Sequence, residues 1–376
     1  MPGKSRYQIA IIGGGPGGSA CALALAQRGV QDVLVVEAGD YTQFHIGESI
    51  PPDALRLFQS LGIDQPFLAE EHAACYGSCS YWGSDKRGYN DTLMHPLGHG
   101  WHLDRLRFNR FMADQAGKRG IELASGTRLT GSTPAAGGAG FALQLAAGSA
   151  EQRSTTTIHA DFVIDASGAS AVFARHRGSQ KIGELPLICL AMRFAWPQRS
   201  APASGMTHLE AVEHGWWYGA HLPDNSLLLA FYSDADTIKT HRLQQPERWL
   251  AWLSGAPNTA ALVESAAPSA EGVLSFPAPS YCLDQIAGDR WLAIGDAASA
   301  YDPITAQGIV KSIANGIAAA DVIAGRTSIR QYAASVRQQY QRYLTLRRTY
   351  YGLEQRWPDA PFWTRAMAEV TAPAID

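Results

Sequence analysis

A doubly wound parallel α/β fold carrying a second, antiparallel sheet is predicted by three features of this 376-residue chain. An apolar run at residues 7–12 leads into a glycine turn at 13–18 and a helical stretch at 19–29, and a second strand follows at 33–37. Strand, turn, helix and strand within about 30 residues form the βαβ unit of a parallel sheet. From residue 185 to 231 the pattern changes to strand-like runs, 187–194 and 226–232, with Pro223-Asp224-Asn225 turning the chain after Trp217-Tyr218. At roughly 150 residues per domain, the length allows two to three structural units.

The remaining elements follow from punctuation. A helix at 55–61 stops near Gly62, another at 106–119 ends at Gly120, and the Ala/Gly-rich stretch 135–148 reads as a loop between weak strands. A helix is expected at 309–324, and an arginine-rich one at 329–356 whose charges form a solvated face.

Composition excludes several functions. Thirty-one basic residues against 34 acidic ones leave a net charge of -3, so no basic field is present to hold nucleic acid or to keep the chain on an anionic membrane. No run approaches the roughly 18 apolar residues of a spanning helix, and the start lacks the apolar core of a signal peptide, so a cytoplasmic protein is expected. Five scattered cysteines, an odd number, do not form a disulfide framework. The partner expected is a small molecule or a protein.

The glycine turn satisfies G-x-G-x-x-G, with Gly13 for the tight turn, Gly15 for backbone approach to a pyrophosphate and Gly18 for packing helix on strand. Glu37, closing the second strand, is placed to accept bonds from ribose hydroxyls. Two later segments repeat the strand-to-glycine theme. Asp165-Ala166-Ser167-Gly168 follows an apolar run, with Arg175 beyond it. Gly295-Asp296-Ala297-Ala298 leads through Asp302-Pro303 to Gln307-Gly308 and a helix. An aspartate at a strand end can hold a ribityl or ribose hydroxyl, and a glycine-initiated helix can direct its positive end at a flavin ring.

These segments, with Gly47-Glu48-Ser49 and Asp104-Arg105, resemble FAD-dependent monooxygenases of the p-hydroxybenzoate hydroxylase fold, in the branch shared with flavin-dependent halogenases and geranylgeranyl reductases. The resemblance covers nearly the whole chain. It implies FAD as cofactor: Glu37 on the adenosine ribose, Arg105 by the adenosine and phosphate part, Asp296 at the ribityl-phosphate chain, and the turn from Pro303 to Gly308 against the isoalloxazine. It extends the cofactor set to Ser49, Asp165, Gly168 and Gly295. Halogenases of this branch use a lysine between the Gly-Glu-Ser segment and a Trp, but residues 73–82 contain none. Their W-x-W-x-I-P signature is also broken at residues 215–223, and Thr305 stands where tryptophan halogenases carry an acid.

What remains is oxygen transfer: reduced flavin activates O2 for an electron-rich ring, while the protein positions that ring and excludes water. The segments 100–105, 81–84 and 215–218 are most similar to flavoproteins that mature the tryptophylquinone cofactors of quinoprotein amine dehydrogenases and amino-acid oxidases. That resemblance implies a peptidyl tryptophan as substrate and a protein or peptide, such as a quinoprotein subunit, as partner. Trp82, Trp217 and Tyr218 are the expected pocket walls, with His221 to accept a ring proton and Glu48 as a second candidate acid or base. Electrons would come from NADH, NADPH or a separate flavin reductase, since no second dinucleotide fingerprint is visible. The alternatives are a small-molecule aromatic hydroxylase or halogenase, and a non-catalytic flavoprotein serving as a binding or chaperone module.

His95, His99 and His102 are interrupted by Pro96, Gly98 and Gly100 and are not read as metal ligands, and Cys75 and Cys79 read as buried thiols. The organisation expected is an FAD-binding domain at 1–72, 101–182 and 271–330, a substrate domain at 73–100 and 183–270, and a C-terminal helical region at 331–376.

Overall fold

The apolar strands Arg6–Ile12 and Val33–Val36 are buried almost throughout and pair in parallel at the middle of the first sheet, as expected for strands covered on both faces. The computed structural model describes residues 2–148, 154–195, 205–264 and 266–368. Stretches 149–153, 196–204 and 369–376 and residues 1 and 265, parts of the expected domains, lie outside the described residues. From one edge the sheet runs Ala287–Gly288, Trp291–Ala293, Ser154–Asp165, Arg6–Ile12, Val33–Val36 and Glu122–Ala124. Along this run only the first pair is antiparallel; two more strands, Thr127–Pro134 and Phe141–Ala147, join the side of Ser154–Asp165 as antiparallel neighbours.

The first helix, Pro16–Gln27, begins three residues before the expected start because proline's fixed φ suits the first helical turn. It packs on the helix Gly308–Ile323 at a glycine: a Cβ on Gly316 would lie 2.4 Å from the Gly17 carbonyl oxygen. The Ala/Gly-rich stretch is not a loop to residue 148. Phe141–Ala147 is a strand between Thr127–Pro134 and Ser154–Asp165, because Phe141, Leu143 and Leu145 alternate into the core.

In the second sheet Ile188–Ala195, Ser226–Ser233, Gly215–His221, Thr207–Val212, Gly77–Tyr81 and Gly88–Asp91 follow in spatial order. The Pro223-Asp224-Asn225 turn forms as expected, with Asn225 at φ 62° and the Leu222 amide bonded to the Ser226 carbonyl. The sheet is not wholly antiparallel, since Thr207–Val212 and Gly77–Tyr81 run parallel. These two strands come from distant parts of the chain, so no hairpin dictates their direction.

Each face of this sheet has its own apolar cluster. Trp216 and Tyr232 stack on one side at 4.0 Å, while Trp217 and Phe231 pack on the other against Trp249 of the helix Pro246–Leu253. The terminal helix Ile329–Gly352 starts with a Ser328–Gln331 capping box. Its charges are not all solvated, because Arg347 is buried in an ion pair with Asp302. Among the described residues no helix is long and apolar enough to cross a membrane.

Candidate active site

A cleft of about 930 Å³ opens over the carboxyl ends of the parallel strands, where ligands bind in doubly wound sheets. At one end Gly18 packs under the turn: a Cβ there would meet the Gly13 carbonyl oxygen at 1.9 Å. Gly15 has open space beside it, and the first amides of the Pro16–Gln27 helix face that space as anion donors. Glu37 Oε2 accepts from the Gly14 amide at 2.6 Å, and Oε1 from the Gly39 amide at 2.7 Å. The carboxylate is thus oriented, and each oxygen retains a lone pair for a ribose hydroxyl.

Gly13, Gly15, Glu37, Ser49, Arg105, Gly168, Gly295, Asp296, Pro303 and Gly308 all line the cleft. Asp165 does not. It is fully buried, with Oδ1 accepting from the Ser167 amide and hydroxyl and Oδ2 from the Ala174 amide, so it shapes the Gly168 turn rather than meeting a ligand. Asp296 is held at 2.8 Å by Lys311, a buried lysine the sequence reading missed. Asp302 caps the Pro303–Thr305 turn through the Ile304 amide, and Arg347 and Tyr351 of the terminal helix hold its other oxygen at 3.2 and 2.8 Å.

The far end of the cleft is built around Glu48. Burial outweighs its hydrogen bond with Tyr218 and the nearby Arg105 charge, raising its carboxyl from 4.5 to about 7. Its Oε1 has no protein partner, nor does Arg105 Nε. The Arg105 guanidinium is anchored at 2.5 and 2.9 Å to the Ile46 and Gly47 carbonyls. Ser49 Oγ bridges Tyr218 Oη and Thr207 Oγ1, both at 2.9 Å, and Thr207 in turn meets His102 Nε2 at 3.0 Å. Glu48, Tyr218, Ser49, Thr207 and His102 therefore form a continuous polar chain from the cleft into the interior.

Three expected residues lie elsewhere. Trp217 is fully buried against Trp249 because neighbouring residues on a strand point to opposite faces; only Tyr218 of the pair reaches the cleft. Trp82 packs on Trp216, Tyr351 and Trp363, and its indole donates to the Tyr350 carbonyl. His221 follows Trp217 in the alternation and does not line the cleft. Burial lowers its pKa, and its carbonyl accepts from the His102 ring. The aromatic side chains at the cleft are instead Tyr41, Tyr218, Tyr232, Phe276 and Tyr301, with His45 among them. Tyr232 was legible only through its pairing with Trp216 across two strands.

Unpartnered Glu48 Oε1 and Arg105 Nε, the open Gly15 amide face and the oriented Glu37 fit a long ligand with a nucleotide at one end and a polar ring at the other. The family profile described as FAD binding domain matches residues 6–328. The chain belongs to the FAD binding domain family. Across this family it is similar to the FAD-dependent oxidoreductase LodB of Marinomonas mediterranea, 26% identical over 373 residues and covering 96% of this chain and 97% of LodB. It is also similar to the 1H-pyrrole-2-carbonyl peptidyl-carrier-protein brominase of Pseudoalteromonas luteoviolacea, 27% identical over 84% of this chain and 77% of the brominase. The solved structure of QhpG, a peptidyl tryptophan dihydroxylase essential for tryptophylquinone cofactor biogenesis, superposes with a TM-score of 0.76. It is 22% identical and covers 96% of this chain and 79% of QhpG. At that identity the likeness is one of fold. The protein is therefore a flavoprotein.

Proposed function

We propose that this flavoprotein is a monooxygenase that hydroxylates an aromatic ring, and that the ring is a tryptophan within a polypeptide maturing toward a tryptophylquinone. The observation that carries oxygen transfer is the make-up of the cleft: the Glu48 carboxyl hydrogen-bonded to Tyr218 and, among the described residues, no lining lysine. The stretch 73–82, which carries the lysine in halogenases, has none. Support for the substrate comes from the resemblance of segments 81–84, 100–105 and 215–218 to tryptophylquinone-maturing flavoproteins, and from the fold shared with QhpG.

FAD in the cleft would supply the activation of O2 after reduction by NADH, NADPH or a partner reductase. The amides at the start of the Pro16–Gln27 helix would hold its pyrophosphate and Glu37 its ribose, with Arg105 and Asp296 along the chain between them and the ring. Tyr218, Tyr232 and Phe276 would orient the substrate ring and keep water from it. Glu48 Oε1 then takes the proton that the hydroxylated ring carbon sheds. A carboxyl with a pKa near 7 is suited to that task at neutral pH. The hydroxyls of Tyr218, Ser49 and Thr207 tie this end of the cleft to His102, whose ring burial keeps neutral by lowering its pKa to about 4.

The test offers free tryptophan, a short tryptophan peptide and an unmodified quinoprotein subunit under turnover, and follows added oxygen by mass spectrometry. The proposal expects the polypeptide to be the best substrate, because contacts away from the ring supply orientation. Equal hydroxylation of free tryptophan would contradict it. Similarity to the pyrrole brominase favours a second reading, halogenation of a small or carrier-bound ring, which incorporation of bromide or chloride would establish.

A further inference from the structure

On the face of the second sheet away from Tyr218, four ionisable side chains meet with no part in the cleft. Cys79 and His208 are register partners on the parallel strands Gly77–Tyr81 and Thr207–Val212. Cys79 Sγ lies 3.9 Å from His208 Nδ1 and 3.2 Å from Arg87 Nη2. The other imidazole nitrogen, Nε2, is 3.1 Å from Thr259 Oγ1 and 3.9 Å from Glu210 Oε2. Thr259 gives its hydroxyl and amide protons to Glu210 Oε2 at 2.5 and 2.6 Å, and the Asn258 side-chain amide donates to Oε1 at 2.8 Å.

The polarity of this chain is fixed. Because the Thr259 hydroxyl donates to the carboxylate, its oxygen accepts from His208 Nε2–H, and Nδ1 faces the thiol as proton acceptor. Proton transfer from sulfur to Nδ1 yields a thiolate beside an imidazolium and a guanidinium, with Glu210 balancing the charge. Burial resists ionisation of all three groups, yet their mutual bonds prevail: Cys79 falls below its ordinary value, His208 rises, and Glu210 is held at about 2. Tyr81 and Tyr89 are the other titratable groups facing Arg87.

The contrast with the remaining thiols is sharp. Burial pushes Cys21 and Cys282 up to about 12 and raises Cys189 further. Cys75, four residues away, meets the Thr207 hydroxyl rather than His208. Cys79 is only 2% exposed, but it lies one strand in from the sheet edge. That edge strand, Gly88–Asp91, is exposed at every residue, and Arg87 leads into it. A strand paired on one side opens locally at low cost, which admits a small uncharged reagent.

We propose that Cys79, activated by His208, Glu210 and Arg87, is a peroxide-reactive thiolate that hydrogen peroxide oxidises to a sulfenic acid. The sulfur attacks one peroxide oxygen, an S–O bond forms and the O–O bond breaks. Hydroxide leaves and takes the Nδ1 proton of His208 as water. Sulfur loses two electrons and the peroxide gains them. The site is separate from the proposed hydroxylation and needs no flavin turnover, because peroxide is supplied directly.

The FAD-loaded protein is treated with hydrogen peroxide at neutral pH in the presence of dimedone, and the adducts are mapped by peptide mass spectrometry. The adduct is expected at Cys79 at least about tenfold faster than at any other cysteine. Cys79→Ser should remove it, and His208→Gln should slow labelling about tenfold or more. Since His208 is buried and its variant can misfold, Arg87→Gln at the exposed edge provides the second arm and should also slow labelling severalfold with unchanged circular dichroism. Labelling spread evenly over the five cysteines, or unchanged Cys79 labelling in folded Arg87→Gln, overturns the proposal.

Discussion

At the nucleotide end of the cleft, Gly13, Gly15, Gly18 and Glu37 belong to one strand-turn-helix-strand unit, and most of what they present is backbone. At the ring end, Glu48, Tyr218 and Asp302 come from three distant segments held together by long-range bonds: Tyr218 meets Ser49, the neighbour of Glu48, and Asp302 meets Arg347 and Tyr351 of the terminal helix. The first end is specified by local geometry, through glycines that a Cβ would break and one locally bonded carboxylate. The second is specified by long-range polar contacts, so single substitutions should reach further there.

The largest expected effect is at the ring end. Arg347 and Asp302 are both almost fully buried, so Arg347→Met leaves the Asp302 carboxylate unpaired and should destabilise the fold by about 3 to 5 kcal/mol in denaturant titration. A loss below about 1 kcal/mol would mean that the terminal helix does not brace the Pro303–Thr305 turn.

Glu48 sharpens the comparison through pH. Its folded pKa of about 7 exceeds the ordinary 4.5, so the folded chain binds more protons than the unfolded one between those values. Stability from this group is complete below about 4.5 and is lost as pH rises through 7, by an amount on the order of 3 kcal/mol. Glu48→Gln should flatten that slope in the flavin-free protein, measured by thermal unfolding across the window; an unchanged slope would place the titration elsewhere.

At the nucleotide end, Glu37→Ala should weaken FAD by about 1.5 to 3 kcal/mol, roughly ten- to a hundredfold, read by fluorescence titration. Unchanged affinity would move the ribose away from Glu37. The smallest effect is expected for Tyr218→Phe. Removing one hydroxyl from the polar chain should cost about 0.5 to 1.5 kcal/mol in kcat with the fold intact, and a steady-state assay with the best substrate checks it.

What the sequence disclosed divides along the same line. The glycine turn, Glu37 and the strand-to-glycine segments were legible because their chemistry lies within a few neighbouring residues, and the FAD family followed from them. Trp217 was misplaced although alternation alone puts it opposite Tyr218. Trp82 and Asp165 went astray because an aromatic or a carboxylate beside a motif says nothing of which way it packs. Arg347 read as part of a solvated helix face and Lys311 drew no reading, because the aspartates they meet, Asp302 and Asp296, lie 45 and 15 residues away along the chain. The Thr207 and His102 links carried no local signal, since they arise where the second sheet meets a short three-stranded one formed by Ser49–Ile50, Gly100–His102 and Ala73–Cys75.

The central claim is that oxygen, and not halogen, reaches the substrate ring. Turnover of a tryptophan-bearing polypeptide with the FAD-loaded protein under ¹⁸O2, with chloride and bromide present, tests it most directly. The account predicts heavy oxygen on the indole ring; a halogenated indole without heavy oxygen would contradict it.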